Sequence, residues 1–199
     1  MKPPTPKART TEPDFLLKAY CSGYFPMADA GSGEIQWYSP DPRAIFDLKK
    51  FHIPRSLSLT LKKKRFDTFF DRDYEAVMRH CAEREETWIS EGIVQSYLEL
   101  YRLGFAHSVE CWREEILVGG LYGVSIAGAF FGESMFSIER DASKVALVCL
   151  VDRLKERGFE LLDTQFLTPH LARLGAEEIP RKQYLARLEI ALKKKCTFT

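Results

Sequence analysis

Residues 107–167 lay down three strand-like runs, one long apolar helix and a fourth strand-like run, and that order leaves few folds open. The first three runs cover 107–113, 116–124 and 128–136, and the break at Glu114-Glu115 suits a short hairpin. Strands joined by so few residues run antiparallel. A helix over 143–157, closed by Gly158, then crosses over to a strand at 159–167. The pattern predicts an α/β chain of mixed α+β character, a mixed sheet flanked by helices.

Upstream, Thr11-Glu-Pro-Asp14 reads as a helix start with a hydroxyl cap and a proline in the first turn. That helix carries Phe15, Leu16, Ala19 and Tyr20 and stops at Gly23, while residues 1–12 before it read as loose. The stretch 26–42 holds Gly31, Gly33 and Pro40 with little periodicity and reads as loop. Helices are expected over 54–64, 73–84 and 90–103, with a strand at 66–70. In the third helix Ile93, Val94, Tyr97, Leu98 and Tyr101 form one stripe, and Gly104 ends it. A last helix is expected over 181–195. We divide the chain into a small N-terminal subdomain, 1–41, and a catalytic domain, 42–199.

Charge narrows the partners. With 29 Lys plus Arg against 28 Asp plus Glu, the chain lacks the basic excess of a protein that wraps long nucleic acid, yet it can touch one RNA end. The longest apolar run, Val145 to Val151, falls far short of the roughly 20 residues that span a bilayer. No apolar stretch follows the basic start, so a soluble cytoplasmic protein with no membrane association is expected. The five cysteines are scattered, which fits free thiols, and the four histidines lie too far apart to form a metal site.

Two strand segments carry unusual polar residues. Glu133 interrupts Phe130-Phe-Gly-Glu-Ser-Met-Phe136; it is either a structural ion-pair partner of Arg140 or Lys144, or a carboxylate that binds an amino group in an apolar cleft. In Leu161-Leu-Asp-Thr-Gln-Phe-Leu167, strand alternation puts Asp163 and Gln165 on one face, where they are either a polar strand end or a device that orients an amine. The basic run Lys62 to Arg65 is a solvated helix end or a phosphate contact, and Lys193 to Lys195 reads as solvated. Trp37, Tyr38, Trp88 and Trp112 are too dispersed to define a stacking platform.

Taken together, Gly23-Tyr-Phe-Pro26, Trp37-Tyr-Ser-Pro-Asp-Pro-Arg43, Thr87-Trp-Ile89, Leu117-Val-Gly-Gly-Leu-Tyr-Gly123, Gly132-Glu-Ser-Met-Phe-Ser137, Asp141-Ala-Ser-Lys144, Asp163-Thr-Gln165 and Ile179-Pro-Arg181 resemble the leucyl/phenylalanyl-tRNA–protein transferases. The resemblance implies a GNAT-like catalytic domain that moves Leu, Phe and less often Met from aminoacyl-tRNA to proteins with N-terminal Arg or Lys. It implies that the products enter N-end rule degradation; beside it, no cofactor and a monomer are expected. By the same resemblance the catalytic residues are Glu133, Asp163 and Gln165. The side-chain pocket falls on Leu121, Phe130, Met135, Leu147, Leu150 and Leu154. Trp88 falls near the terminal adenosine, and Met27 stands where some members have a tryptophan.

Two rivals differ in chemistry. An acetyl-CoA-dependent GNAT enzyme needs a glycine-rich turn before its crossover helix, and Ile138-Glu-Arg-Asp-Ala-Ser143 has two acids and no glycine. A non-catalytic RNA-end binder would have no use for Glu133, Asp163 and Gln165 on inner strands.

Overall fold

The computed structural model describes residues 12–29, 32–83 and 87–199. Seven strands form one sheet in the order β4 (Asp67–Phe70), β5 (Ala106–Arg113), β6 (Ile116–Ile126), β7 (Ala129–Ser137), β8 (Leu161–Gln165), β3 (Arg43–Phe46) and β9 (Ala176–Ile179). Every pairing is antiparallel except β7 with β8, which α5 (Ala142–Glu156) connects as the crossover helix. The mixed sheet expected from the strand order is therefore present.

Helices cover both faces. On one, α1 (Pro13–Cys21), α3 (Tyr74–Ala82), α4 (Glu91–Arg102) and α7 (Arg181–Leu192) bury Leu16, Val77, Tyr97 and Leu188 against Tyr122 and Phe131. On the other, α2 (Arg55–Lys62) and α5 bury Leu57, Leu147, Leu150 and Leu154 against Val109, Leu121 and Phe130, and the one-turn α6 (Pro169–Ala172) links β8 to β9. Covered on both sides, β5 and β6 are buried almost end to end; β6 is mostly apolar, while β5 buries His107, Ser108 and Glu110 with hydrogen-bond partners. Helix starts follow local chemistry: Asp73 accepts from the Ala76 N–H at 3.0 Å, and Ser90 from that of Ile93 at 3.4 Å. Helix α5 is buried nearly all round, and Gly119 lets its first turn close on β6, since a Cβ there would lie 2.5 Å from that of Ala142.

Several boundaries differ from the sequence expectation. Residues 26–42 are not merely loop: β1 (Phe25–Ala28) and β2 (Ile35–Tyr38) form an antiparallel hairpin that buries Phe25 and Ala28. Four-residue strands are too short to show a period, and β3 and β9 escaped for the same reason. Helix α1 begins at Pro13 with Glu12 before it and no side-chain cap; Thr11 lies outside the described residues. The last helix ends at Leu192, before the lysine run. Among the described residues no helix is long and apolar enough to cross a membrane, and all five cysteines are free thiols.

Candidate active site

The parallel pair β7–β8 holds for three residue pairs, Ala129 with Leu161, Phe130 with Leu162 and Phe131 with Asp163, and then parts. Two bulges accompany the separation. On β7, Gly132 pairs with Gly123 and Ser134 with Tyr122, leaving Glu133 as the extra residue. On β8, the register with β3 slips between Asp163 and Gln165, and Gln165 takes the left-handed conformation at φ 65°. Bulges re-aim side chains, and a non-glycine residue at positive φ holds strain of order 1 kcal/mol that the surrounding bonds must offset. Here both bulged segments turn inward. Between the parted strands lies a cavity of about 730 Å³, within the usual range for ligand sites.

Glu133 sits at its polar end. It is 9% exposed, with Oε1 accepting from Tyr20 Oη at 2.7 Å and Gln165 Nε2 at 3.0 Å, and Oε2 accepting from Tyr97 Oη at 3.2 Å. The Tyr20 and Tyr97 hydroxyls also meet each other, so their two protons are shared over three contacts, and a protonated Glu133 carboxyl supplies the third donor. Among the described residues no cation forms an ion pair with this carboxylate: Arg140 and Lys144, the ion-pair partners considered from sequence, engage Asp141 instead. Burial pushes the Glu133 carboxyl up to about 7, while the Tyr20 and Tyr97 hydroxyls pull it down less strongly. It can therefore exchange a proton near neutral pH.

Asp163 is built differently. Fully buried, it accepts from Arg43 Nε at 2.9 Å and Nη2 at 2.6 Å, from Tyr184 Oη at 2.8 Å and from the Gln165 N–H at 2.9 Å. The Arg43 guanidinium is sandwiched between the Phe25 and Tyr184 rings, 4.6 and 4.5 Å from their centroids, and donates to the Gly23 carbonyl at 3.1 Å. Asp163 thus lies behind the cavity wall and not on it. The expectation that it faces an amine side by side with Gln165 fails because the bulge breaks the alternation between them.

The other end of the cavity is apolar. Leu121, Met135, Leu147 and Leu150 line it, and Met27 and Trp88 also border the space. Phe130 and Leu154 do not: both are wholly buried in the layer behind. Sequence reasoning missed several wall residues, among them Tyr122, Leu162, Thr164, Phe166 and His170. Tyr122 Oη, Thr164 Oγ1 and His170 Nε2 are buried without a hydrogen-bond partner within the protein. Burial and the nearby Lys144 and Arg173 cations lower the His170 pKa, keeping that ring neutral at physiological pH. Within the basic run, Arg65 pairs with Glu139 at 3.7 Å, next to the wall residue Ile138. Among the described residues no group of three or more His, Cys, Asp or Glu could hold a metal ion.

An apolar lobe leading to a carboxyl that titrates near pH 7 and an amide suits a protein that holds an acyl group beside an amine. The family follows from comparison. The chain matches the model for leucyl/phenylalanyl-tRNA protein transferase over residues 45–189, and that for the N-terminal domain of the same proteins over 11–41. It is 51% identical to the leucyl/phenylalanyl-tRNA–protein transferase of Gloeobacter violaceus, covering 95% of this chain and 98% of the relative. Identity to that of Herpetosiphon aurantiacus is 52%, over 94% and 97%. A solved structure described as that of L-PGS from Bacillus licheniformis superposes with a TM-score of 0.43 at 16% identity, over 81% of this chain and 55% of that one, too distant to bear on function. The chain belongs to the leucyl/phenylalanyl-tRNA–protein transferase family.

Proposed function

We propose that this protein transfers Leu or Phe, and less often Met, from aminoacyl-tRNA to the α-amine of proteins that begin with Arg or Lys, acting as a monomer in the cytoplasm and marking them for N-end rule degradation. The carrying observation is the single cavity that joins the lobe of Leu121, Met135, Leu147 and Leu150 to the Glu133–Gln165 pair. A GNAT-like catalytic unit over 42–199 behind an N-terminal subdomain, 1–41, is the architecture this reading assigns.

In this reading the aminoacyl side chain fills the lobe, and Trp88 and Met27 border the terminal adenosine. Phe130 and Leu154 support the lobe from behind. Two carboxylates border the cavity among the described residues, Glu133 at the end beside Gln165 and the exposed Glu83. Glu83 draws the cationic side chain of the acceptor. Gln165, whose amide nitrogen is committed to Glu133, offers its amide oxygen to an incoming N–H. The acceptor arrives as an ammonium, gives one proton to ionised Glu133, and its nitrogen attacks the ester carbonyl carbon. The C–N bond forms as the bond to the ribose oxygen breaks, and the leaving oxygen takes up a proton. Asp163 and Arg43 hold the β8 bulge that aims Gln165 and do not touch the substrate. An aminoacyl ester is already activated, so holding the amine in place supplies much of the rate, roughly 7–11 kcal/mol. Leu, Phe and Met are unbranched at Cβ, and a lobe narrow at its neck would exclude Val and Ile.

A filter-binding assay with labelled Phe-tRNA and an Arg-starting peptide tests this. Label appearing on the peptide is the expected result. Retention of RNA without transfer would instead identify a binder, and transfer only from acetyl-CoA a different acyltransferase.

A further inference from the structure

The chain beyond α7 is tied back onto the sheet. The Gly128 N–H donates to the Ala191 carbonyl at 3.0 Å, and a Cβ at Gly128 would lie 2.8 Å from that of Lys194, so only glycine permits this approach. Lys194 pairs with Glu160 at 2.7 Å, and Cys196 Sγ donates to the Gly158 carbonyl at 3.3 Å. These ties deliver Phe198, 2% exposed, into an aromatic slot. Its ring centroid lies 4.4 Å from that of His107, 5.4 Å from Phe130 and 5.7 Å from Phe70. His107 is itself held by Asp71 at 2.7 Å, so the slot has a fixed wall.

Phe130 does not line the cavity but adjoins residues that do. It pairs in register with Leu162, a wall residue, and belongs to the same core cluster as Leu121, Leu147, Leu150 and Phe198. We infer that Phe198 is a positioning residue that sets the depth of the aminoacyl side-chain lobe by backing Phe130, and so tunes which amino acid is transferred. The inference rests on the reading of that lobe as the aminoacyl pocket. Protein interiors are close-packed, so removing the ring at 198 leaves a void into which Phe130 can tilt. The wall beside Leu162 then yields, the larger Phe gains room, and Leu loses contact.

The test compares kcat/KM for Phe-tRNA and Leu-tRNA in Phe198→Ala, Phe198→Leu and Met135→Ala, each first shown by thermal melting to fold. We expect the Phe-to-Leu ratio to rise by about fivefold in Phe198→Ala and about twofold in Phe198→Leu, below the roughly 10-fold or more of a methylene change in a wall that touches the substrate, because Phe198 acts through Phe130. A residue that only stabilised the fold would lower both rates in proportion. If Phe198→Ala does not fold, Phe198→Leu carries the comparison. An unchanged ratio in folded position-198 variants, with a shifted ratio in Met135→Ala, overturns the inference and leaves the pocket reading standing. No shift in any variant overturns the pocket reading, and the inference with it.

Discussion

Glu133 and Asp163 are carboxylates on adjacent strands, both withdrawn from solvent, and they are held in opposite ways. Asp163 has a bidentate arginine, a tyrosine hydroxyl and a backbone N–H, and lies off the cavity. Glu133 has neutral donors only, faces the cavity, and titrates near 7. Burial alone therefore says nothing about role. What differs is the partners: an arginine clamps one carboxylate into the sheet, whereas hydroxyl and amide donors leave the other free to take or release a proton during a reaction.

Breaking the first site should cost most. Removing one partner of a buried pair strands the other charge, so Arg43→Ala should lose about 3–5 kcal/mol of stability in urea unfolding. A loss below about 1 kcal/mol would mean that water compensates Asp163. Glu133→Gln should cut transfer by about 100-fold, the low end for a proton-transferring group, while the protein stays folded. Its stability should differ in sign from that of Arg43→Ala. Glu133 titrates at about 7 in the folded protein, raised from the ordinary 4.5. Between those values the folded state holds a proton that the unfolded chain has released, so stability falls as pH rises through that window. Glu133→Gln has no such slope and should be more stable than wild type at pH 8, by ~1–3 kcal/mol, and melt higher there, with little difference at pH 4. A lower melting point at pH 8 would show that the carboxylate has a compensating partner.

Smaller effects test the neighbours. Gln165→Glu places a second carboxylate against Glu133 and removes its amide donor, and should slow transfer about tenfold. Full activity with normal substrate affinity would remove the amide from the mechanism. Met135→Ala should weaken Phe transfer by ~1–2 kcal/mol in kcat/KM. Identical kinetics for that variant would place the side-chain pocket elsewhere.

The same contrast explains what the sequence disclosed. Glu133 and Gln165 stood out because polar residues interrupted apolar strands, and the antiparallel run followed by a crossover fixed the sheet. Their partners were hidden by distance and by type. Tyr20 and Tyr97 look like ordinary members of helical apolar stripes, and only packing of α1 and α4 over β7 turns their hydroxyls onto one carboxylate. Arg43 sits in a four-residue strand with no legible period, 120 positions from the aspartate it neutralises. Bulges leave no mark in an apolar–polar pattern, so the separation of Asp163 from Gln165 could not be read from alternation.

The central claim is that Glu133 takes the acceptor's proton, and the pH dependence of kcat/KM for Phe transfer to an Arg-starting peptide tests it most directly. The acceptor amine titrates equally in both proteins, so the ratio of wild-type to Glu133→Gln rates isolates the carboxylate. That ratio should climb from about pH 6 to about pH 8, with a midpoint near the carboxyl's value of about 7. A ratio that stays flat across that range would contradict the account.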